Sequence, residues 1–533
     1  MNLATILFLV TPAKADTLVR SEKIMDLPQG KTGSFVQSAD MRSVALATRL
    51  TDGSTEIVLN GAGVDTCAGI AGFCFAAPGK LAYVATRKDG SMSFVLGEKE
   101  YGPYEYVGEY VVSANGLHYA FVIGKGGKWG GSAYAGGKYS VLHDGAEGKE
   151  YDLVSGLLLS PTGEEVAYVA HKGKWKKDGS YQDGKQFVVR GTKAEKGHGT
   201  CHNLVYSADG KHLAYIAVDK GKWADGAYRG GKAKVYLDGK GVTKNTFPYI
   251  PEMVLDSMDT PNYITADGGE WTEDWVYTHG TWRVARGKKL GKKYDFVKGL
   301  VSTAEGGVSY VAAERGKWTA TGAYINAKFF VIEGKSRKGP YSWISEAWVA
   351  AKGNYFANIV SEGGRWDTTG YYEAGQYALT PNKGGRSKDY ALIKGVVLAE
   401  KGGFGFIAEE SGHWNQGAYE GGTEFVVWGQ KTSERYPCIV PGTLNLSPDG
   451  SHSAFVICDQ ALAKEFVVVD GFVLPDTADM MLSRMLFSAD GRFLYYNSVR
   501  DGAVFLCTVD IPALPIKSPA KVGESGPGGK GVK

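Results

Sequence analysis

Short apolar segments alternate with polar turns along almost the whole chain, and the same arrangement returns many times. Leu157–Ala170 consists of an apolar stretch, a Ser-Pro-Thr-Gly turn and a second apolar stretch. The segments Leu204–Ala217, Leu444–Ile457 and Leu486–Tyr496 have the same order, with Ser-x-Asp-Gly at the turn. Asp-Gly supplies the positive φ that a tight hairpin turn needs, and Val, Ile, Tyr and Phe suit a pleated surface. The pattern therefore predicts pairs of antiparallel strands, and it has no helical period.

The turn glycines set the length of the repeat. Gly116, Gly163 and Gly210 are 47 residues apart, and the spacings from Gly306 to Gly491 run from 41 to 49. Each unit is predicted to hold four strands, the fourth being a Lys-x-Tyr-Asp-x-Val segment. A four-stranded unit of 40–50 residues has the size of a propeller blade. Weaker copies raise the number of units to eleven, and they begin near Val36, Phe75, Val111, Leu255, Val301, Val349 and Leu398.

These units predict an all-β protein, a β-propeller of about eleven four-stranded blades over residues 16–511. Radial stacking buries both faces of each sheet, and closure protects the edges. The last unit ends with its third strand, Ala503–Val509, while Thr17–Ile24 precedes the first unit and has no blade of its own. We therefore expect the N-terminal strand to complete the last blade. The unbroken period favours one wide ring; the alternatives are seven blades inserted into a four-bladed ring, or five plus six.

Seven consecutive units, between residues 110 and 440, carry a longer segment between their second and third strands. In each of them a Trp stands two residues after a Gly, and a Tyr follows five or six residues later. The pattern predicts a two-stranded extension with a Gly-rich tip, and seven extensions would form a crown on one face of the ring. The candidate binding residues are Trp129, Trp175, Trp223, Trp271, Trp318, Trp366, Trp414, Tyr134, Tyr181, Tyr228, Tyr277, Tyr324, Tyr372 and Tyr419.

Two interpretations of this crown compete. Each Trp either packs on the Tyr of a neighbouring hairpin and stiffens the crown, or stacks on sugar rings or grips a partner protein. The residue before the Trp is basic in five hairpins, and this charge suits an acidic ligand, a cation–π contact or a solvated sheet edge equally well. These five residues are Lys128, Lys174, Lys222, Lys317 and Arg365.

Composition and the chain ends narrow the function classes. The formal net charge of +3 is too near neutral for a dedicated nucleic-acid binder, and no apolar run is long enough to span a membrane. Apolar Leu3–Val10 is followed by Ala13-Lys14-Ala15, which predicts a signal peptide over residues 1–15 and a periplasmic, extracellular or cell-surface location. The alternative is a buried first strand, because no Lys or Arg precedes the apolar run. Residues 512–533 are predicted to form a disordered basic tail.

No motif for catalysis or cofactor binding is present, so we expect no cofactor, no metal and no enzymatic activity. The chain has no H-E-x-x-H, G-x-S-x-G, P-loop or C-x-x-C motif. Three weaker possibilities stay open: a metal site, paired carboxylates and a Cys67–Cys74 disulfide. The first two would use His198, Cys201 and His202, and Glu270, Glu273 and Asp274, respectively.

The Ser-Pro/Ala-Asp-Gly-x-x-Leu/Val-Ala-Tyr units resemble the WD40-like repeats of bacterial TolB-type propellers and of the propeller domain of prolyl-oligopeptidase relatives. The resemblance implies the fold and leaves the function open, and the long hairpins depart from it. Those relatives carry a separate hydrolase domain after the propeller, whereas only a short tail follows here, so that activity is not expected.

Three functions are compatible with the sequence. The first is a non-enzymatic exported scaffold that binds a protein partner, or itself, through the crown. The second is a carbohydrate-binding or polysaccharide-active propeller. The third is a hydrolase or lyase with acidic residues in the channel.

Overall fold

The repeating apolar segments form antiparallel sheets around one axis. The computed structural model describes residues 18–28, 33–131, 133–224, 227–243, 245–303, 306–350, 355–415, 418–459 and 461–515. Their regular elements are strands and one 3₁₀ turn, Ile511–Ala513, so the predicted all-β class is confirmed. We number the sheets as blades 1–11 in chain order and name their strands a to d from the channel outwards. No helix in this part of the chain is long and apolar enough to cross a bilayer.

The four blades without a long hairpin are blades 1, 2, 10 and 11. Blade 1 has strands Gly33–Gln37, Val44–Arg49, Thr55–Leu59 and Ala62–Cys67. Blade 2 has Gly69–Ala77, Lys80–Thr86, Met92–Leu96 and Lys99–Tyr104. Blade 10 has Asn445–Leu446, Ser453–Asp459, Lys464–Val469 and Phe472–Ala478. Blade 11 has Met480–Phe487, Phe493–Arg500, Ala503–Asp510 and, as its strand d, the N-terminal Val19–Asp26.

Blades 3 to 9 carry the hairpins. Blade 3 has strands Tyr106–Val112, Tyr119–Lys125, Lys138–His143 and Ala146–Glu147. Blade 4 has Leu153–Leu159, Val166–Trp175, Tyr181–Arg190 and Lys193–Ala194. Blade 5 has Thr200–Tyr206, Leu213–Asp219, Lys232–Leu237 and Lys240–Gly241. Blade 6 has Met253–Leu255, Pro261–Asp267, Thr281–Arg286 and Lys289–Leu290.

The remaining three blades follow the same plan. Blade 7 has strands Phe296–Ser302, Val308–Glu314, Lys328–Glu333 and Ser336–Tyr341. Blade 8 has a strand a in two pieces, Trp343–Ile344 and Trp348–Val349, then Phe356–Glu362 and Gln376–Pro381. Its fourth position is the single bridge between Tyr377 and Tyr390. Blade 9 has Leu392–Leu398, Phe404–Glu410, Thr423–Trp428 and Lys431–Thr432.

The buried core consists of eleven apolar clusters, and each lies between two neighbouring blades. One cluster joins blades 2 and 3, and another joins blades 9 and 10. A seven-bladed ring inserted into a four-bladed one would instead join blade 2 to blade 10 and blade 3 to blade 9. Each seam of the chain order is occupied once, so the molecule is a single ring of eleven blades.

The ring closes as the sequence predicts. Val19–Asp26 pairs antiparallel with Ala503–Asp510, with Val19 opposite Val509 and Asp26 opposite Ala503. Met25 packs in the cluster between blades 11 and 1. The two ends of the chain therefore share one sheet, and opening the ring requires breaking that row of backbone hydrogen bonds.

Two sequence-based expectations about local structure were wrong. The Lys-x-Tyr-Asp-x-Val segments are not strand d: Tyr151 makes one bridge to Tyr139, and Leu153–Leu159 is already strand a of the next blade. This happens because the d–a connection is short and runs directly into the next sheet. The predicted tail does not begin at residue 512, because Leu514 is buried against blade 11.

The sequence left open whether Cys67 and Cys74 are bridged. Cys67 and Cys74 are not bridged, whereas Cys438 and Cys458 form a disulfide that links strand b of blade 10 to the segment preceding strand a. Cys67 is buried in the cluster between blades 1 and 2, whereas Cys74 Sγ lies 3.3 Å from the Tyr110 hydroxyl of blade 3. The predicted signal peptide (1–15) and residues 516–533 of the predicted tail lie outside the described residues.

Candidate functional site: the hairpin crown

The seven predicted extensions exist, one on each of blades 3 to 9, and we call them hairpins 3 to 9. In every one the Trp and the Tyr of the sequence pattern stand directly opposite each other. The two rings of each pair lie 4.9 to 5.6 Å apart, most of them steeply inclined. The structure thus brings the fourteen candidate residues together in pairs, one pair to a hairpin.

Close contacts between the glycine and the Tyr side chain explain why the pattern contains glycine. In six hairpins the glycine N–H donates a hydrogen bond of 2.8 to 2.9 Å to the Tyr hydroxyl. The Tyr ring lies flat against the glycine, so a Cβ on Gly364 would stand 2.5 Å from the ring of Tyr372. The same close approach occurs at all seven glycines. Gly-x-Trp and the later Tyr are therefore one packing unit.

The Trp side chains pack within the crown, but on a different Tyr from the one expected. Each Trp packs on the Tyr of its own hairpin, whereas the expectation was the Tyr of a neighbouring one. Four Trp rings also contact an aromatic side chain on strand c of the preceding blade, at 6.0 to 6.1 Å. These contacts pair Tyr139 with Trp175, Trp282 with Trp318, Phe329 with Trp366 and Tyr377 with Trp414.

Burial separates the candidate residues into two groups. Six of the seven pattern Trp side chains are half-buried, and only Trp129 is classed as exposed, at 49%. The Tyr partners are buried or half-buried. Most of the indole surface therefore serves the crown itself, and what the crown presents to a ligand lies at the tips.

The tips hold exposed apolar residues that the sequence pattern does not select. Trp275 is 43% exposed, Val276 38% and Tyr371 72%. Trp275 belongs to the irregular sixth hairpin, which the sequence marks, but Tyr371 stands next to the pattern residue Tyr372. The Tyr-Tyr doublet is the only sequence signal for it, because opposite faces of a strand alternate.

Carboxylates at the base of two hairpins hold the Tyr hydroxyls. Tyr134 donates to Glu105 at 2.7 Å, and Tyr324 donates to Asp295 at 3.1 Å. Burial, together with the neighbouring carboxylate, raises the pKa of both phenols to about 12. Both hydroxyls therefore stay protonated near neutral pH, as these hydrogen bonds require.

Charge divides the crown into sectors. The residue before the Trp is exposed in all seven hairpins and is Lys, Arg or His in every hairpin except hairpin 6, where it is Glu270. Hairpin 6 also exposes Glu273 and Asp274 at its tip. These three carboxylates lie on the crown and not in the channel, so they do not form the channel site of the hydrolase hypothesis. At the position before the Trp, the crown therefore carries a carboxylate only in hairpin 6.

The channel wall carries its own polar groups. Glu252 on blade 6 accepts hydrogen bonds from the N–H groups of Gly299 (3.1 Å) and Leu300 (2.7 Å) on blade 7. Burial raises the pKa of Glu252 and lowers that of Lys298, while Glu346 on blade 8 attracts the Lys298 ammonium. This group joins three blades, and Glu252 is engaged with backbone rather than directed at a ligand.

A serine and a histidine also meet in the channel wall. Ser155 Oγ lies 2.8 Å from His171 Nε2, and Gln186 Nε2 lies 3.3 Å from His171 Nδ1. The side-chain amide oxygen of Gln186 accepts hydrogen bonds from the Cys201 N–H at 2.8 Å and from Thr200 Oγ1 at 3.0 Å. This chain of hydrogen bonds connects blades 4 and 5. The equivalent positions of blade 9 hold Lys394, Glu409 and Glu424, and the lysine forms an ion pair with each glutamate.

The proposed metal cluster does not assemble. His198 is buried and contacts Asp219 at 2.9 Å, Cys201 is buried in the seam between blades 4 and 5, and His202 is exposed on the inner strand. Within the described ranges, no three His, Cys, Asp or Glu side chains are grouped so that they would hold a metal ion.

Comparison with known proteins identifies no family and no function for the chain. No protein-family model matches the chain, and no curated protein is similar to it in sequence. Similar solved structures include the β-propeller domain of the Trilobed protease from Pyrococcus furiosus, at 11% identity and a TM-score of 0.29, over 62% of this chain and 94% of that one.

Two peptidases are similar at the same level. An acylaminoacyl peptidase from Pyrococcus horikoshii has 11% identity and a TM-score of 0.29, over 67% of this chain and 58% of its own. A puromycin-hydrolysing peptidase from Mycobacterium tuberculosis has 10% identity and a TM-score of 0.25, over 75% and 63%. The propeller fold rests on the eleven blades themselves, and membership of the TolB-type family stays a prediction.

Proposed function

We propose that the chain is a non-enzymatic propeller that binds a protein partner through the tips of its crown. The observation that carries the proposal is the exposure of Trp129, Trp275, Val276 and Tyr371 on a framework of interlocked aromatic pairs. Rigid aromatic side chains at protruding positions provide contact area at low entropic cost, and Trp and Tyr dominate interface energetics.

The proposal includes export to an oxidising compartment. It is supported by the apolar segment before Ala13-Lys14-Ala15 and by the Cys438–Cys458 disulfide, since such bonds persist mainly outside the cytosol. Secretion of a reporter fused to residues 1–15 tests this part. Retention of the reporter inside the cell would contradict it.

The test of the crown uses the full chain as bait against proteins from its source cells. We expect a stoichiometric partner that is lost on the triple substitution Trp129→Ala, Trp275→Gly and Tyr371→Ala. The matched control is Leu117→Ala with Met258→Ala, because these exposed residues lie in a–b turns on the opposite face. A partner retained by the triple variant and lost by the control would place binding on the other face and overturn the proposal.

Carbohydrate binding is a second candidate, and Trp129 is the observation in its favour. Its indole is 49% exposed, and Gly130 and Gly131 beside it leave room for a sugar ring. A glycan array probed with the wild type and with Trp129→Ala separates the two functions. Binding that disappears with the indole supports a lectin-like role, and an empty array excludes it.

A further inference from the structure

At one turn position, hairpin 6 has a non-glycine residue in the left-handed region where three other hairpins have glycine. The tips of hairpins 4, 6, 7 and 8 share one turn, in which the N–H of the first residue pairs with the carbonyl of the fifth, as from Thr272 to Val276 at 2.9 Å. The fourth residue of this turn has positive φ in all four hairpins. It is Gly179, Gly322 and Gly370 in three of them, but Trp275, with φ of 61°, in hairpin 6.

A bulky L-residue in this region is strained relative to glycine. Trp275 stays 43% exposed, although its ring centroid lies 6.3 Å from that of Trp271. One face of its ring is covered by the Arg229 guanidinium of hairpin 5, 4.3 Å from the centroid. The tip therefore sacrifices local stability to hold an indole outwards, and such strain is expected where a residue makes a contact outside its own fold.

The charges around Trp275 indicate what that contact is. Glu273 and Asp274 are exposed beside it, whereas hairpin 5, its neighbour on the same face, exposes Lys220 and Lys222. A twofold axis between blades 5 and 6 would place hairpin 6 of each copy against hairpin 5 of the other. Both acidic tips would then meet a basic hairpin at once, which is the arrangement an isologous interface requires.

We propose that the crown docks onto a second copy of this chain, with Trp275 and Val276 as the apolar centre and the Glu273–Asp274 carboxylates against Lys220 and Lys222 of the other copy. The inference rests on the proposed binding role of the crown, and it identifies the bound partner as a second copy of the chain. Charge complementarity predicts that the affinity falls with ionic strength.

Sedimentation velocity of the full chain, from about 1 to 200 µM and at low and high salt, tests the proposal. We expect a dimer whose dissociation constant rises about tenfold or more at high salt. Trp275→Gly removes the indole and relieves the positive φ, so it keeps the fold and weakens the dimer at least about tenfold. Leu117→Ala, at an exposed a–b turn on the opposite face, is the matched control and leaves the dimer unchanged.

A charge exchange makes the test specific for the pairing. The variant Glu273→Lys/Asp274→Lys weakens self-association, and so does Lys220→Glu/Lys222→Glu. An equimolar mixture of the two variants restores a heterodimer, because both contacts are again complementary.

Three outcomes overturn the inference: a monomer at all concentrations in low salt, a dimer indifferent to Trp275→Gly, or a mixture that fails to pair. A monomer that still retains a different protein through its tips overturns this inference alone. A monomer that retains none overturns the proposed function as well.

Discussion

The hairpin arc, blades 3 to 9, and the bare arc, blades 10, 11, 1 and 2, join their blades by different chemistry. Within the hairpin arc, four seams place an aromatic residue of strand c against the Trp of the next hairpin. In blades 9 and 10 the same strand position is Glu424 and Glu465, whose carboxylates accept the N–H of Ile439 (2.6 Å) and Met481 (2.5 Å) in the next blade. The seam therefore follows whether the next blade carries a hairpin.

Blades 4 and 5 depart from that rule, although the blade after each carries a hairpin. Blade 4 has Gln186 at this position, which accepts the Cys201 N–H, and blade 5 has Ala233. Between blades 4 and 5, Trp223 Nε1 donates to the Gly184 carbonyl at 3.2 Å instead. Five of the seven hairpin Trp side chains therefore contact the preceding blade, four through an aromatic ring and one through a hydrogen bond.

Removing the closing strand is expected to have the largest effect, because the bare arc depends on it. Without residues 1–26, strand c of blade 11 becomes a bare edge, and the buried contacts of Val19 and Met25 are lost. We expect a loss of about 5 kcal/mol or more in the free energy of unfolding, measured by denaturant titration. A chain ending at Pro515 is the control, and equal stability of the two truncated chains would contradict the closure.

Trp318→Ala and Trp129→Ala test the hairpin arc. Trp318 contacts Trp282, Phe296 and Tyr324, whereas Trp129 is 49% exposed. We expect a loss of about 3–5 kcal/mol for the first and less than about 1 kcal/mol for the second, by the same titration. Equal losses would mean that the crown does not stiffen the ring through its seams.

The disulfide belongs to the bare arc alone. Its cysteines are 20 residues apart, and opening it by Cys438→Ser with Cys458→Ser is expected to lower the free energy of unfolding by about 2–4 kcal/mol. Reducing agent added to the wild type gives the same decrease, while the double variant does not respond to it. A wild type that is insensitive to reduction would contradict the bond's contribution.

A Gly→Ala substitution in each arc is expected to distinguish the two arcs with a smaller loss of stability. A Cβ on Gly316 in hairpin 7 would stand 2.8 Å from the ring of Tyr324, whereas Gly63 in blade 1 has open space and no positive φ. We therefore expect Gly316→Ala to lower the melting temperature by an amount equivalent to about 1–3 kcal/mol and Gly63→Ala to leave it within about 0.5 kcal/mol. The reverse order would refute the Gly-x-Trp packing unit.

The smallest expected effect is a pH dependence in the bare arc. His452 Nδ1 lies 2.5 Å from Asp470, and this hydrogen bond raises the pKa of His452 from its ordinary value of 6.5. A raised pKa stabilises the fold below about pH 6.5, and the contribution disappears as the pH rises through the folded-state pKa. Relative to His452→Gln, the wild type is expected to lose less than about 1 kcal/mol between about pH 5.5 and 8.5. A difference that grows with pH would have the wrong sign.

Much of the fold follows from local sequence. Asp-Gly turns and alternating apolar residues specify strands without reference to the rest of the chain, and the unpaired N-terminal strand identifies its own partner by elimination. The seven Trp–Tyr pairs are also local, because both residues lie on one short hairpin. The fourth strand escaped prediction, since Tyr151 bridges to Tyr139 while the following residues pair with the next blade.

The sequence alone determined the pleated repeat, its eleven copies and the seven hairpins, because each depends on residues that are close along the chain. Only the tertiary structure decided the single ring, the Cys438–Cys458 bond and which aromatic faces are covered. Those features depend on the angle at which one blade wedges against the next, and that angle results from the packing of whole seams. Trp275 depends on both levels of structure. Its strained turn is local, but its exposure is set by the neighbouring hairpins.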